Sequence, residues 1–145
     1  MQISSRFTIA VHILVCIVTF GKDYKVTSEF LAGSVNVNPV VIRNILSQLK
    51  KAGLVNVVRG TGGASLAKPM EDITFLDIYN AVECVEQQEL FHFHENPNPQ
   101  CPVGRNIHGI LDKKLDQVQK VMEQELASIT LADAVRDAAW LIAGE

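Results

Sequence analysis

Between residues 38 and 63 the chain gathers side chains that can read or grip a nucleic acid. Asn38-Pro39 opens a helix, Val40, Arg43 and Asn44 follow within its first turns, and Lys50-Lys51 sit at its far end. Arg59 then precedes Gly60-Thr61-Gly62-Gly63. Arginine can bond guanine through two donors, asparagine can bond adenine, and valine can meet a thymine methyl. Lysines at a helix end suit phosphates, which position a protein without specifying sequence. Arginine beside glycine-rich backbone can enter a minor groove. A helix N-terminus adds partial positive charge and unpaired N–H groups. Ser5 and Arg6, at the start of the first helix, can add phosphate contacts. The candidate DNA-binding set is therefore Ser5, Arg6, Asn38, Val40, Arg43, Asn44, Lys50, Lys51, Arg59, Gly60, Thr61 and Gly62.

A second group lies in the segment 87–102, which is crowded with His, Asn and Pro. His92, His94, Glu95 and Cys101 are metal-ligand types, but a two-residue spacing between the histidines matches no established metal motif. Cys101 precedes a helix, where a thiolate is stabilised. His92, His94 and Cys101 are accordingly candidate sensor residues. The plainer reading makes Asn-Pro-Asn-Pro a rigid linker with surface histidines. No metal site and no cofactor are assigned. No nucleophile–base pair, acid pair or phosphate loop supports catalysis, so the chain is not expected to be an enzyme. The Gly60–Gly63 run lacks the Lys-Ser/Thr ending and the following helix of a nucleotide loop.

These residues need elements to hold them. A first helix covers residues 4–20 and is apolar on most sides. Thr27 or Ser28 caps a short helix to about Ser34, and Val35-Asn36-Val37 forms a tight turn. Pro39, whose missing N–H costs nothing at a helix start, opens a third helix that runs to Ala52 and stops at Gly53. Ile42, Ile45, Leu46 and Leu49 recur at the spacing of one buried helical face. Two strands follow, Leu54–Arg59 and Ala64–Ala67, joined by a flexible glycine tip. Thr74, with Asp77 in the capping-box position, starts a fourth helix to about Val85, and Cys84 is expected to face the core. A long helix spans about Val103–Ala127, and Thr130 with Asp133 caps a last one, Leu131–Ala143. Helix, turn, helix and glycine-tipped hairpin, in that order, describe a winged helix-turn-helix.

The 145 residues match about one domain's length, 48% are hydrophobic and the net charge is −3. That balance hides an asymmetry. Residues 1–69 carry eight basic and two acidic side chains, a net of +6, while residues 70–145 carry five basic and 14 acidic ones, a net of −9. The division expected is a DNA-binding region, 1–85, followed by an effector loop and dimerisation helices, 86–145. Three scattered cysteines exclude a disulfide framework and suit a reduced, cytoplasmic protein. The apolar run Phe7–Val18 is too short to span a membrane and reads as a buried helix, not a cleaved signal.

The run Lys50-Lys51-Ala52-Gly53-Leu54-Val55, with Arg59-Gly60-x-Gly62-Gly63-x-x-Leu66-Ala67, resembles the Rrf-two family of bacterial regulators, the IscR, NsrR and CymR kind. Ile73, Ile78 and Ala81-Val82-Glu83 after the wing, and Ala10-Val11 in the first helix, extend the resemblance over nearly the whole chain. It implies a mainly helical, homodimeric winged helix-turn-helix transcription regulator. Positions 43 and 44 would contact bases, and the long C-terminal helix would form the dimer interface. Many members hold an iron–sulfur cluster through three close cysteines before that helix. Here only Cys101 remains, resembling the last of the three, so no such cluster is expected.

The apolar row of the long helix fits a seam between two copies, because about 25 residues reach about 37 Å, more than so small a core needs. The reading is a homodimeric regulator of double-stranded DNA, acting as a repressor on a pseudo-palindromic operator. A small-molecule, redox or protein effector would act at the 87–104 segment, and no membrane partner is expected. The competing reading is a small metal-binding or redox protein built on His92, His94 and Cys101.

Overall fold

The computed structural model describes residues 4–83 and 90–145. Ser4 accepts the Arg6 N–H and starts α1 (Ser5–Phe20). Its apolar surface goes inward: Ala10, Ile13, Leu14, Cys16 and Ile17 are buried. Thr27 caps α2 (Ser28–Val35) by accepting the Phe30 N–H, and Asn36 turns the chain at φ 63°. Asn38 then caps α3 (Pro39–Lys51), accepting the Val40 N–H at 2.8 Å. The inward face of α3 is the expected set, Ile42, Ile45, Leu46 and Leu49. Each such side chain stabilises the fold by about 2 kcal/mol through removal from water.

The wing is an antiparallel pair, β1 (Val55–Val58) and β2 (Gly63–Leu66), with Val55 opposite Leu66 and Val58 opposite Gly63. Its tip is a single 3-10 turn over Gly60–Gly62. Gly63 lies at φ 79°, and a Cβ there would sit 2.9 Å from the Val26 nitrogen. The Ala64 N–H donates to the Val26 carbonyl at 2.8 Å, so the wing is fastened to the chain ahead of α2. A side chain at Gly63 would be strained twice, by backbone angle and by this close approach.

Thr74 and Asp77 close the expected capping box of α4 (Phe75–Val82). This helix ends three residues sooner than its apolar pattern suggests. Glu83 has left helical space, at φ −88° and ψ 83°. Cys84, expected to face the core, lies outside the described residues.

The long C-terminal helix is also interrupted. A short turn, α5 (Pro102–Arg105), precedes α6 (Ile107–Ser128). Asn106 breaks the run: its side-chain Nδ2 donates to the Pro102 carbonyl at 2.7 Å. That occupies the acceptor a continuous helix would offer to the Asn106 backbone, which turns to Val103 instead. Thr130 and Asp133 form a second capping box on α7 (Leu131–Ala143). Backbone bonds from Phe75 to Ile129 and from Leu131 to Ile73 join the starts of α4 and α7. Fully buried Leu131 thereby enters the same core as α1 and α3. No helix among the described residues is long and apolar enough to cross a membrane.

Candidate nucleic-acid interface

The buried row of α3 dictates what remains outside. Val40, Arg43, Asn44, Ser47, Lys50 and Lys51 are all exposed, on the side opposite Ile42, Ile45 and Leu49. Val40 is 53% exposed, high for an aliphatic side chain with no polar partner to offer. Asn38 is exposed at the helix start, with its Oδ1 used by the cap. Arg59 and Gly60 are exposed on the wing, as is Gly62. Thr61 lies in the tip turn; its side chain is outside what is described. Ser5 is exposed at the start of α1.

Helix and wing meet across a cleft of about 460 Å³. Arg43, Ser47 and Lys50 line one side, Val57, Val58, Arg59 and Gly60 the other, and Ser28 and Glu29 close one end. The tertiary structure thus brings Arg43, Lys50, Arg59 and Gly60 to one surface. Lys50, Lys51 and Arg59 make no ion pair among the described residues, leaving their charges available to an anion.

Two features of this surface escaped sequence reasoning. Glu29, in the first turn of α2, accepts from Arg43 Nη2 at 3.4 Å, and both side chains are largely exposed. Glu29 was one of only two acids in the basic half, and that isolation was the available signal. Arg6 is the other. Its guanidinium bonds Gln48 of α3 and the Val82 carbonyl, so it is occupied within the protein. No local pattern links residue 6 to residues 48 and 82.

The second candidate group does not converge. His92, His94 and Cys101 are each exposed. Among the described residues no three His, Cys, Asp or Glu side chains gather as a metal site. Cys16 is buried, with Sγ 3.3 Å from Ser34 Oγ, and that hydroxyl also meets His12 Nε2 at 2.9 Å. The Cys101 thiol is held below the ordinary range by the backbone N–H groups of Gly104, then Val103. What the segment does form is a contact with α6. Leu90 N–H donates to Gln119 Oε1 at 3.0 Å, and the Phe93 ring lies 4.2 Å from that of His108. A cavity of about 350 Å³ opens there, bounded by Phe91, Phe93, Asp112 and Asp116.

Comparison with known proteins agrees with this geometry. The model of the Rrf2 family, described as iron-dependent transcriptional regulator, matches residues 3–137. YwnA of Bacillus subtilis, described as an HTH-type transcriptional regulator, is 49% identical over 134 residues, 92% of this chain and 97% of YwnA. The solved structure of IscR from T. potens is 25% identical with a TM-score of 0.68, covering 95% of this chain and 88% of that one. A structure described as a transcriptional regulator of Lactobacillus plantarum reaches a TM-score of 0.74 at 28% identity, over 93% of this chain and 90% of the other. Among the described residues no group of three His, Cys, Asp or Glu side chains matches the iron of the family's description. A cluster needs about four ligands, mostly thiolates. Of the described cysteines, Cys16 is buried in the core and Cys101 stands alone and exposed.

Proposed function

Because this chain belongs to the Rrf2 family of winged helix-turn-helix, DNA-binding transcription regulators, we propose that it is a cytoplasmic repressor and not an enzyme, working as a homodimer on a pseudo-palindromic operator. Two α3 helices enter successive major grooves, one helical turn of DNA apart. Arg43, Asn44 and Val40 meet base edges. Lys50, Lys51, Ser5 and the α3 N-terminus at Asn38 meet phosphates. Arg59 and the tip Gly60-Thr61-Gly62 reach the flanking minor groove or backbone. The observation that carries this reading is the cleft between α3 and the wing, with three cations on its walls.

The dimer reading is supported by α6, none of whose residues is fully buried although Ile107, Leu111, Leu115, Val118, Met122 and Leu126 recur along it. Trp140 and Leu141 of α7 add exposed apolar surface, at 76% and 62%. An effector acting on the 87–104 segment changes the placement of the two heads, and with it operator affinity. A redox signal at Cys101 is the second reading, favoured by its acidified, exposed thiol.

The test is selection of bound fragments from genomic DNA, followed by mobility shift of the selected duplex against an unrelated one. The expected result is a symmetric site bound by two chains. Equal affinity for both duplexes would remove sequence-specific regulation, and a one-chain complex would remove the homodimer.

A further inference from the structure

Arg6 occupies a place where an exposed arginine would suit a phosphate, at the start of α1 beside α3. Its donors are directed elsewhere. Nη2 donates to Gln48 Oε1 on α3, and Nε donates to the carbonyl of Val82, the last residue of α4, at 3.4 Å. Two residues earlier, Ser4 Oγ donates to Glu83 Oε1 at 2.8 Å. Residues 4–6 therefore hold the recognition helix and the end of α4 together.

The chemistry of the pairing is specific to arginine. A guanidinium presents its donors in one rigid plane, so it fixes the directions of two acceptors at once. One acceptor here is the carbonyl of Val82, the last residue of α4, at the helix end where carbonyls call for outside donors. The other is a side chain one turn beyond Asn44, since residues four apart on a helix lie on one face. Gln48 thus lies one turn along α3 from Asn44, one of the residues assigned to base contact.

We propose that Arg6 is a positioning residue for DNA reading, acting through Gln48 on the seating of α3 and anchored by the Val82 carbonyl, and not a phosphate contact. This rests on the DNA-reading role of α3 stated above. It also makes the end of α4, where the chain departs toward the 87–104 segment, a structural neighbour of the recognition helix.

The test compares Arg6→Lys, Arg6→Met, Gln48→Ala and the Arg6→Met/Gln48→Ala double variant in the full-length protein. Affinity is measured for the selected operator and for an unrelated duplex across a range of KCl concentrations. Lysine keeps the charge but cannot span both acceptors. Arg6→Lys and Arg6→Met are expected to lose roughly tenfold in operator affinity, the scale of one hydrogen bond to a charged group. Affinity for unrelated DNA and the salt slope should stay as in the parent, and the double variant should lose no more than the worse single one. Full operator affinity in Arg6→Lys would overturn the proposal. So would a parallel loss on unrelated DNA with a shallower salt slope, the mark of a phosphate contact. Additive losses in the double variant, or a loss explained by a smaller folded fraction in circular dichroism, would overturn it as well. A parent protein that does not discriminate the operator would instead defeat the DNA-reading assignment itself.

Discussion

Two helices of this protein have the same kind of apolar row and opposite outcomes. In α3, Ile42, Ile45, Leu46 and Leu49 are all buried, and the polar face left over is the candidate DNA surface. In α6, Ile107, Leu111, Leu115, Met122 and Leu126 are only half-buried, and Val118 is 50% exposed. The difference is what lies opposite. On its inward side α3 packs against α2, α4, β1 and α1 of its own chain. Among the described residues the α6 row meets α4 and the segment near Phe91 and Phe93, and none of its 22 residues is buried. An amphipathic helix satisfied within its chain displays its polar face. One left unsatisfied displays its apolar face, and a second copy is the partner the proposed dimer supplies.

The comparison breaks most visibly in stability. Ile45→Ala should cost about 2–5 kcal/mol in urea unfolding, since it empties a fully enclosed site. Val118→Asp should act through association. The parent's unfolding midpoint should rise with protein concentration, and the variant's should not, with sedimentation reporting a lighter species. Concentration-independent unfolding of the parent would mean that α6 needs no second copy.

A smaller effect separates reading from gripping on α3. Arg43→Ala should lose about 1–3 kcal/mol of operator binding and relax preference at one base position. Lys50→Ala should weaken operator and unrelated DNA alike and reduce the salt slope by about one. Titrations at several salt concentrations distinguish the two. Unchanged sequence preference in Arg43→Ala would reassign base reading to Asn44 and Val40.

The wing should respond less, and in two different ways. Arg59→Ala removes a charge from an exposed position and should weaken DNA binding while leaving the melting temperature in place. Gly63→Val should lower the melting temperature, because positive φ and the Val26 backbone both resist a side chain. Unchanged DNA affinity in both variants would take the wing out of the binding surface.

The smallest effect expected is at Cys101. Its folded pKa is lowered by the backbone N–H groups of Gly104 and Val103, which only folding brings to the thiol. Thiolate should therefore appear at lower pH in native than in urea-unfolded protein, and iodoacetamide labelling against pH should show that displacement. Coincident profiles would remove the redox reading. If Cys101 is the sensor, oxidant should change operator affinity in the parent and not in Cys101→Ser.

Much of the fold was legible because its signals are local. Asn38-Pro39, Thr74 with Asp77, and Thr130 with Asp133 state helix starts in two to four residues, and each forms the cap its chemistry allows. The four-residue row of α3 announced its buried face, and its complement announced the exposed Arg43, Asn44 and Lys50. Breaks were harder to read. Asn106 interrupts the C-terminal helix by a side-chain bond that competes with the backbone, and asparagine elsewhere in a helix need not do so. Glu83 leaves α4 while the apolar pattern runs on.

Sequence alone determined which residues face inward on α3, where α3, α4 and α7 begin, and that the basic half is the one with the hairpin. Those properties follow from residue type and from spacing along a regular backbone, both local quantities. Only the tertiary structure decided the pairing of Glu29 with Arg43, the fastening of the wing to Val26, and the use of Arg6 between Gln48 and Val82. These join residues 14 to 76 positions apart. Their partners are set by how helices pack, and a hydrogen-bonding side chain carries no mark in sequence of which distant group will come within its reach.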